Sequence, residues 1–141
     1  MQNLKIYLER QNHHPGLLGI FTNPFFLARR GLYRAIRAHA STLQGRLLDI
    51  GCGTQPYRHL FAHTTGYTGV ELDTPVNHQR KIAEVFYDGK TLPFAAEEFD
   101  SVLCNQVLEH VFEPIAFLAE IQRVLKPGGK FLCLEFSRPT N

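Results

Sequence analysis

Residues 46–53 read Arg-Leu-Leu-Asp-Ile-Gly-Cys-Gly. A short apolar run that ends at a pair of glycines one residue apart reads as a buried strand leaving into a tight turn. Such a turn lets the backbone approach a ligand closely. Outward from it the same pattern recurs. Tyr67–Glu71, Ala83–Tyr87, Phe99–Asn105 and Lys130–Phe136 are strand-like runs. Pro56 is placed to open a helix over roughly Tyr57 to His63, and Pro114 a helix through about Leu125. In the second, Ile115, Leu118, Ala119, Ile121, Val124 and Leu125 are expected to face the sheet, and Lys126-Pro127-Gly128-Gly129 to terminate the helix. Strands alternating with helices predict an α/β fold with a mainly parallel, doubly wound sheet covered on both faces. Right-handed crossovers put its ligands at the carboxyl ends of the strands.

The chain has 141 residues, enough for one domain with a substantial core. Residues 1–44 read as an N-terminal helical extension and residues 45–141 as the α/β domain. In the extension, Asn23-Pro24 opens a helix that runs to about Ala40. Phe25, Ala28, Leu32, Ala35 and Ile36 form its apolar face. Arg30, Arg34 and Arg37 lie elsewhere on it, as a solvated face or as a cationic rim near an anionic group. A net charge of +2 is too small to argue for nucleic acid or an anionic membrane as partner. No apolar run approaches the ~20 residues of a membrane span. Met1–Asn12 lacks the pattern of a signal peptide. These features predict a cytoplasmic protein with no transmembrane segment, and a small molecule is the default substrate. Cys52, Cys104 and Cys133 are an odd count, far apart, and read as reduced thiols.

The chemistry gathers at the first turn. Glu71 ends the second strand 18 residues past Gly53, near the spacing of about 20 of an acid that holds a ribose. A carboxylate there can accept hydrogen bonds from both ribose hydroxyls. A dinucleotide site usually has a third glycine three residues on, yet the run from Gly51 is Gly-Cys-Gly-Thr-Gln-Pro. Asp49 also precedes the glycines. Its carboxylate is badly placed for a pyrophosphate and well placed for the ammonium of an amino acid. The pattern therefore favours a ligand with a ribose and a cationic amino-acid end. A nucleotide-dependent oxidoreductase is the competing reading, against which the missing glycine counts.

The run Leu47-Leu48-Asp49-Ile50-Gly51-Cys52-Gly53 closely resembles the first motif of class I S-adenosylmethionine-dependent methyltransferases, of the type 11 kind. Gly69-Val70-Glu71-Leu72-Asp73, Asp88 to Phe94, Phe99 to Val111, and Glu120 to Gly129 resemble the later motifs, in order. The resemblance covers residues 46–136 and implies a Rossmann-like fold and S-adenosyl-L-methionine as cofactor. It implies that Asp49, Gly51, Cys52 and Gly53 surround the methionine part and that Glu71, beside Leu72, holds the ribose. Asp88 would accept from the adenine amino group and the Gly89 amide would meet a ring nitrogen. Asn105 and Gln106 would line the sulfonium side, largely through backbone. His110, after the fourth strand, is the candidate general base, a histidine being suited to proton transfer near neutrality; the alternative is a role in packing the helix start. His59 and His63 lack a third ligand, and no metal is expected.

The sequence departs from that family in three places. Gln55 and Pro56 replace the usual continuation of the glycine loop. Only 14 residues, 74 to 87, separate Asp73 from Asp88, so the second helix must be short or missing. The sequence stops just after the fifth strand, whose apolar edge is then exposed to self-association, unless the chain is part of a longer protein. A cofactor-binding domain without turnover is the alternative to an active enzyme.

Overall fold

The structure, a computed structural model, describes residues 26–80 and 82–135. Pro15-Gly16, which reads as a break in the chain, and His13-His14 before it lie outside the described residues, as do the Asn23-Pro24 helix start, Phe25, the region Met1–Asn12 and Phe136. The chain divides into two compact units at His39/Ala40. In the first, helix α1 spans Phe26–His39; Arg34 and Arg37 are exposed and Ile36 is buried, as the periodicity predicts.

The second unit is built on five strands, β1 (Arg46–Ile50), β2 (Gly66–Leu72), β3 (Val85–Tyr87), β4 (Phe99–Asn105) and β5 (Leu125–Leu134). All pairings are parallel and the order is β3-β2-β1-β4-β5. The order reverses at β1, which pairs with β2 on one side (Asp49 opposite Gly69) and β4 on the other (Asp49 opposite Leu103). The loops leaving β1 and β4 therefore flank a crevice, the place where open α/β sheets bind ligands.

Strand periodicity sorts the core. Leu48, Ile50, Val70, Val102 and Cys104 pack with Phe117, Ile121 and Val124 of helix α3 (Pro114–Val124). On the other face Leu47, Leu103 and Phe61 are buried. Glu120 and Arg123 of α3 reach beyond the sheet. Glu120 accepts from the Leu92 amide at 2.9 Å, and Arg123 donates to the Leu92 and Phe94 carbonyls at 2.8 Å. They pin the segment after β3 to the helix.

Three expectations are corrected and one is borne out. No α-helix follows the glycine loop: a single 3-10 turn, Arg58–Phe61, stands where a helix over Tyr57–His63 was expected. The helix between β2 and β3, α2 (Pro75–Arg80), is six residues long, as the spacing required. Helix α3 turns Ile121 and Val124 to the sheet as expected, but the rest of its expected apolar face does not follow. Phe117 is buried, whereas Ile115 is 84% exposed, Leu118 40%, and Ala119 is also on the outside. Leu125 is not helical and pairs with Phe99, so Lys126-Pro127-Gly128-Gly129 is not a terminating turn outside the sheet but an irregularity within β5. The helix needs no glycine cap because its Arg123 and Val124 carbonyls accept from the Glu97 and Glu98 amides. Cys104 and Cys133 are opposite one another across β4 and β5, and all three cysteines are free. No helix among the described residues is long and apolar enough to cross a membrane.

The orientation of α3 is directly measurable. Phe117→Ala should cost about 3–5 kcal/mol by leaving a cavity, and Ile115→Ala should stay within about 0.5 kcal/mol of wild type. Urea denaturation midpoints of the two variants check this, and a reversed order would contradict the packing.

Candidate functional site

The crevice begins at Gly51, which leaves β1 with φ of 69°. A Cβ there would lie 2.3 Å from Val107 Cγ2 of the loop after β4, so only glycine fits. The Gly51 and Cys52 amides both donate to the Val70 carbonyl of β2. The next amide, Gly53, donates to Glu71 Oε2 at 3.1 Å. Glu71 Oε1 accepts from the Leu72 amide at 3.0 Å. The carboxylate that ends β2 is thus oriented against the glycine loop. Leu72, 43% exposed, lies beside Gly89 on the segment leaving β3. Asp88 Oδ1 accepts from the Lys90 and Thr91 amides, both at 2.8 Å. The Thr91 and Lys90 bonds hold its carboxyl below the usual carboxylate range.

Asp49 is buried beneath the loop and takes a hydrogen bond on Oδ2 from the Tyr67 hydroxyl. Burial pushes its pKa up to about 7 against the opposing Tyr67 bond, and the Glu71 and Glu84 charges add to the rise. Burial and the Asp49 charge push the Tyr67 hydroxyl up in turn, which keeps it a donor. The Cys52 thiol is raised to about 12, first by burial and then by the Asp49, Glu71 and Glu84 charges. It is a packing group and not a nucleophile.

Sequence reasoning missed what replaces the absent helix. Gln55 turns with φ of 56°. Its amide nitrogen donates to the Ile82 carbonyl at 3.1 Å and to Glu84 Oε2 at 2.8 Å. Arg58 donates to Gln55 Oε1 at 2.7 Å and to Glu84 Oε1, and lies 4.8 Å from the Tyr67 ring centroid. Glu84 also takes the Gly69 amide at 2.8 Å. Burial alone would raise the Glu84 carboxyl; the Gly69 amide and Arg58 outweigh it and hold it below its usual range. A Cβ on Gly69 would lie within 3 Å of Gln55, Cys52 and Glu84 atoms, so the network needs a glycine there. The signal in the sequence was Gln55 itself, a large residue at the end of a glycine loop.

At the far side of the crevice, Asn105 ends β4 with its Oδ1 buried and without a partner. Gln106 follows with φ of 58°. His110 closes a 3-10 turn, Leu108–His110; its ring is exposed, 3.5 Å from Glu109. The structure thus brings Asp49, Gly51, Cys52, Gly53, Glu71 and Leu72 together and ties Leu72 to Gly89. Asn105, Gln106 and His110 lie at the same edge of the sheet. His59 sits on the 3-10 turn after the glycine loop, and His63 Nε2 lies 2.9 Å from the Leu43 carbonyl, so the two form no metal pair on one helix. The donor atoms of Cys104, Cys133 and Glu135 lie within 4.8 Å of one another. Among the described residues no fourth donor joins them, one short of a structural zinc site. A surface groove of about 650 Å³, lined by Glu97, Gln122, Lys126 and Phe131 among others, opens beside the segments that lead into β4 and β5, away from this chemistry.

A doubly wound parallel sheet, a glycine loop at its switch point and an acid ending the adjacent strand define a nucleoside-binding α/β domain. The methyltransferase domain family matches residues 48–133, and the chain belongs to that family, whose cofactor is S-adenosylmethionine. A ubiquinone biosynthesis O-methyltransferase of Dinoroseobacter shibae is 39% identical over 103 residues, 66% of this chain and 42% of that protein. A demethylmenaquinone methyltransferase of Staphylococcus saprophyticus is 36% identical over 107 residues, 67% of this chain and 46% of that protein. The chain thus spans less than half the length of these relatives. A SAM-dependent methyltransferase structure from Thermotoga maritima superposes with a TM-score of 0.58 at 27% identity, over 77% of this chain and 54% of that one. The residues present fit the cofactor. A Cβ on Gly53 would meet open space, Glu71 is already oriented, and the Asn105 Oδ1 lacks a donor.

The raised pKa of Asp49 links to stability. The folded state holds its proton more tightly than the unfolded state, so stability is full below the ordinary value of 3.8 and declines as pH rises to about 7. Asp49→Asn should remove that decline and leave the variant more stable than wild type at pH 8. Thermal melts across pH 4–8 measure it; an unchanged slope in the variant would show that Asp49 ionises freely.

Proposed function

We propose that this domain binds S-adenosylmethionine and supports methyl transfer to a small-molecule or lipid-like acceptor of the quinone type. The observation that carries the first part is Glu71. Its carboxylate ends β2, bonds the Gly53 amide, and stands where two ribose hydroxyls can donate to it. The acceptor class rests on relatives named for ubiquinone biosynthesis and demethylmenaquinone.

In this reading Glu71 and Leu72 hold the ribose, and Asp88 with the Gly89 amide recognises adenine. Gly51, Cys52 and Gly53 wrap the methionine part. Asp49, neutral below about pH 7, ionises when an ammonium group settles beside it. Asn105 Oδ1 and the Gln106 backbone close the sulfonium side. The bound cofactor supplies a methyl group already electrophilic at carbon. The chain's task is then to align that carbon with the acceptor and keep water out. His110, exposed at the exit of β4, takes the acceptor's proton where the acceptor is a hydroxyl. The protein acts in the cytoplasm, and the edge of β5, unpaired among the described residues, is a surface for self-association.

Isothermal titration of S-adenosylhomocysteine is the test. Glu71→Ala should weaken binding about tenfold or more, since it leaves the Gly53 amide without its partner. Incubation with S-adenosylmethionine and a quinone-type acceptor should yield S-adenosylhomocysteine. Binding without product would favour a cofactor-binding domain that does not turn over, and undiminished affinity of the Glu71→Ala variant would sink the site.

A further inference from the structure

The exit of β5 grips the exit of β4 through a side chain as well as through backbone. Glu135 directly follows β5, and its Oε1 accepts from the Val107 amide at 3.1 Å and the Leu108 amide at 2.9 Å. One residue earlier, the Leu134 carbonyl accepts from the Gln106 amide at 2.9 Å and from Gln106 Nε2 at 3.2 Å. Three consecutive amides after β4 therefore hang on two consecutive residues at the end of β5. The chain turns sharply there, with Gln106 at φ of 58°. That turn sets Val107 against Gly51, so closely that no Cβ fits between them. Gly51 in turn is tied to the Val70 carbonyl. A run of contacts leads from Glu135, through Val107, to the glycine loop on the other side of β4.

We propose that Glu135 is a positioning residue of the cofactor site, holding Val107 against Gly51 through the Val107 and Leu108 amides. The proposal rests on reading the crevice as the S-adenosylmethionine site. Glu135 is no part of the glycine loop and acts through the loop after β4. Its other oxygen, Oε2, is buried and unpartnered, and Cys133 Sγ lies 3.9 Å from Oε1. The attachment is therefore made by Oε1 alone. A carboxylate is a stronger acceptor for an amide than a neutral oxygen, which suits a loop whose backbone conformation is otherwise unfavourable for Gln106. No neighbouring backbone carbonyl does this work; loss of the side chain leaves two amides, half-buried, without partners.

The test uses the full chain and three variants, Glu135→Ala, Glu135→Gln and Val107→Ala. Two readouts are taken, affinity for S-adenosylhomocysteine by isothermal titration and amide hydrogen exchange at residues 51–53 and 106–108. Glu135→Ala should weaken binding about tenfold and speed exchange in both segments. Glu135→Gln keeps an acceptor oxygen and should recover most of the affinity. Val107→Ala leaves both amides bonded to Glu135, so it should speed exchange at 51–53 while 107 and 108 stay protected. A merely local role for Glu135 would speed exchange at 106–108 and leave both 51–53 and the affinity at wild-type values; that result overturns the proposal. Should Glu135→Ala not fold, wild-type exchange at 51–53 in Val107→Ala overturns it equally. If the folded wild type takes up no S-adenosylhomocysteine, the reading of the site fails, and exchange at 51–53 still decides whether Glu135 positions the loop.

Discussion

β1 is hydrogen-bonded on both sides to parallel neighbours, and the rest of the site follows from that constraint. Parallel pairing puts every carboxyl end on one edge of the sheet, and the reversal of order at β1 places the loops after β1 and β4 side by side there. Asp49 must then be buried, because its strand has neighbours on each side and packed faces above and below. Its raised pKa is a product of that burial. Gly51 must be glycine, because Val107, on the loop after the neighbouring β4, packs against it.

The glycine loop of such a domain is usually steadied by the helix that follows it. Here the helix has shrunk to a 3-10 turn, and side chains do the steadying. Gln55 before the turn, Arg58 on it, Glu84 before β3 and Tyr67 on β2 form one connected set, centred on a carboxylate that takes an amide, an amide side chain and a guanidinium. Such a network ties the loop to β2 and to the lead-in of β3 at several points, whereas a helix packs against the sheet through its apolar stripe. It also brings three carboxylates, Asp49, Glu71 and Glu84, close enough for the last two to raise the first.

Much of this was legible in the sequence. β4 was read to the residue, β1 likewise, and the glycine loop with its distant acid was visible from spacing alone. These features are local: period, length and a glycine pair decide them. The 14 residues between Asp73 and Asp88 correctly forced a short helix. What the sequence hid depends on neighbours far along the chain. The face of α3 is legible only in part: Ile121 and Val124 are buried as expected, but Ile115 and Leu118 are apolar yet face outward, while Phe117 fills the core. The strand character of Leu125 to Gly129 comes from pairing with Phe99 and from Glu97 and Glu98 capping the helix, partners that no local pattern reveals. Pro56 suggested a helix, but Gln55 at positive φ sets the chain on a different course. The pairing of Cys104 with Cys133 is a matter of register, invisible in their spacing.

The strand order also bears on how the chain comes to be folded. β1 pairs with β2 across about 20 residues of sequence, and β4 with β5 across about 29, whereas β1 meets β4 across 54. Short closures lose less chain entropy than long ones. The sheet is therefore two locally wired halves joined along a single long-range seam, and the crevice lies on the seam. A ligand bridging the loops after β1 and β4 binds only when the halves are joined, so it draws the folding equilibrium toward the closed sheet by mass action. Occupancy of the site and integrity of the fold are, in this architecture, the same equilibrium seen from two ends.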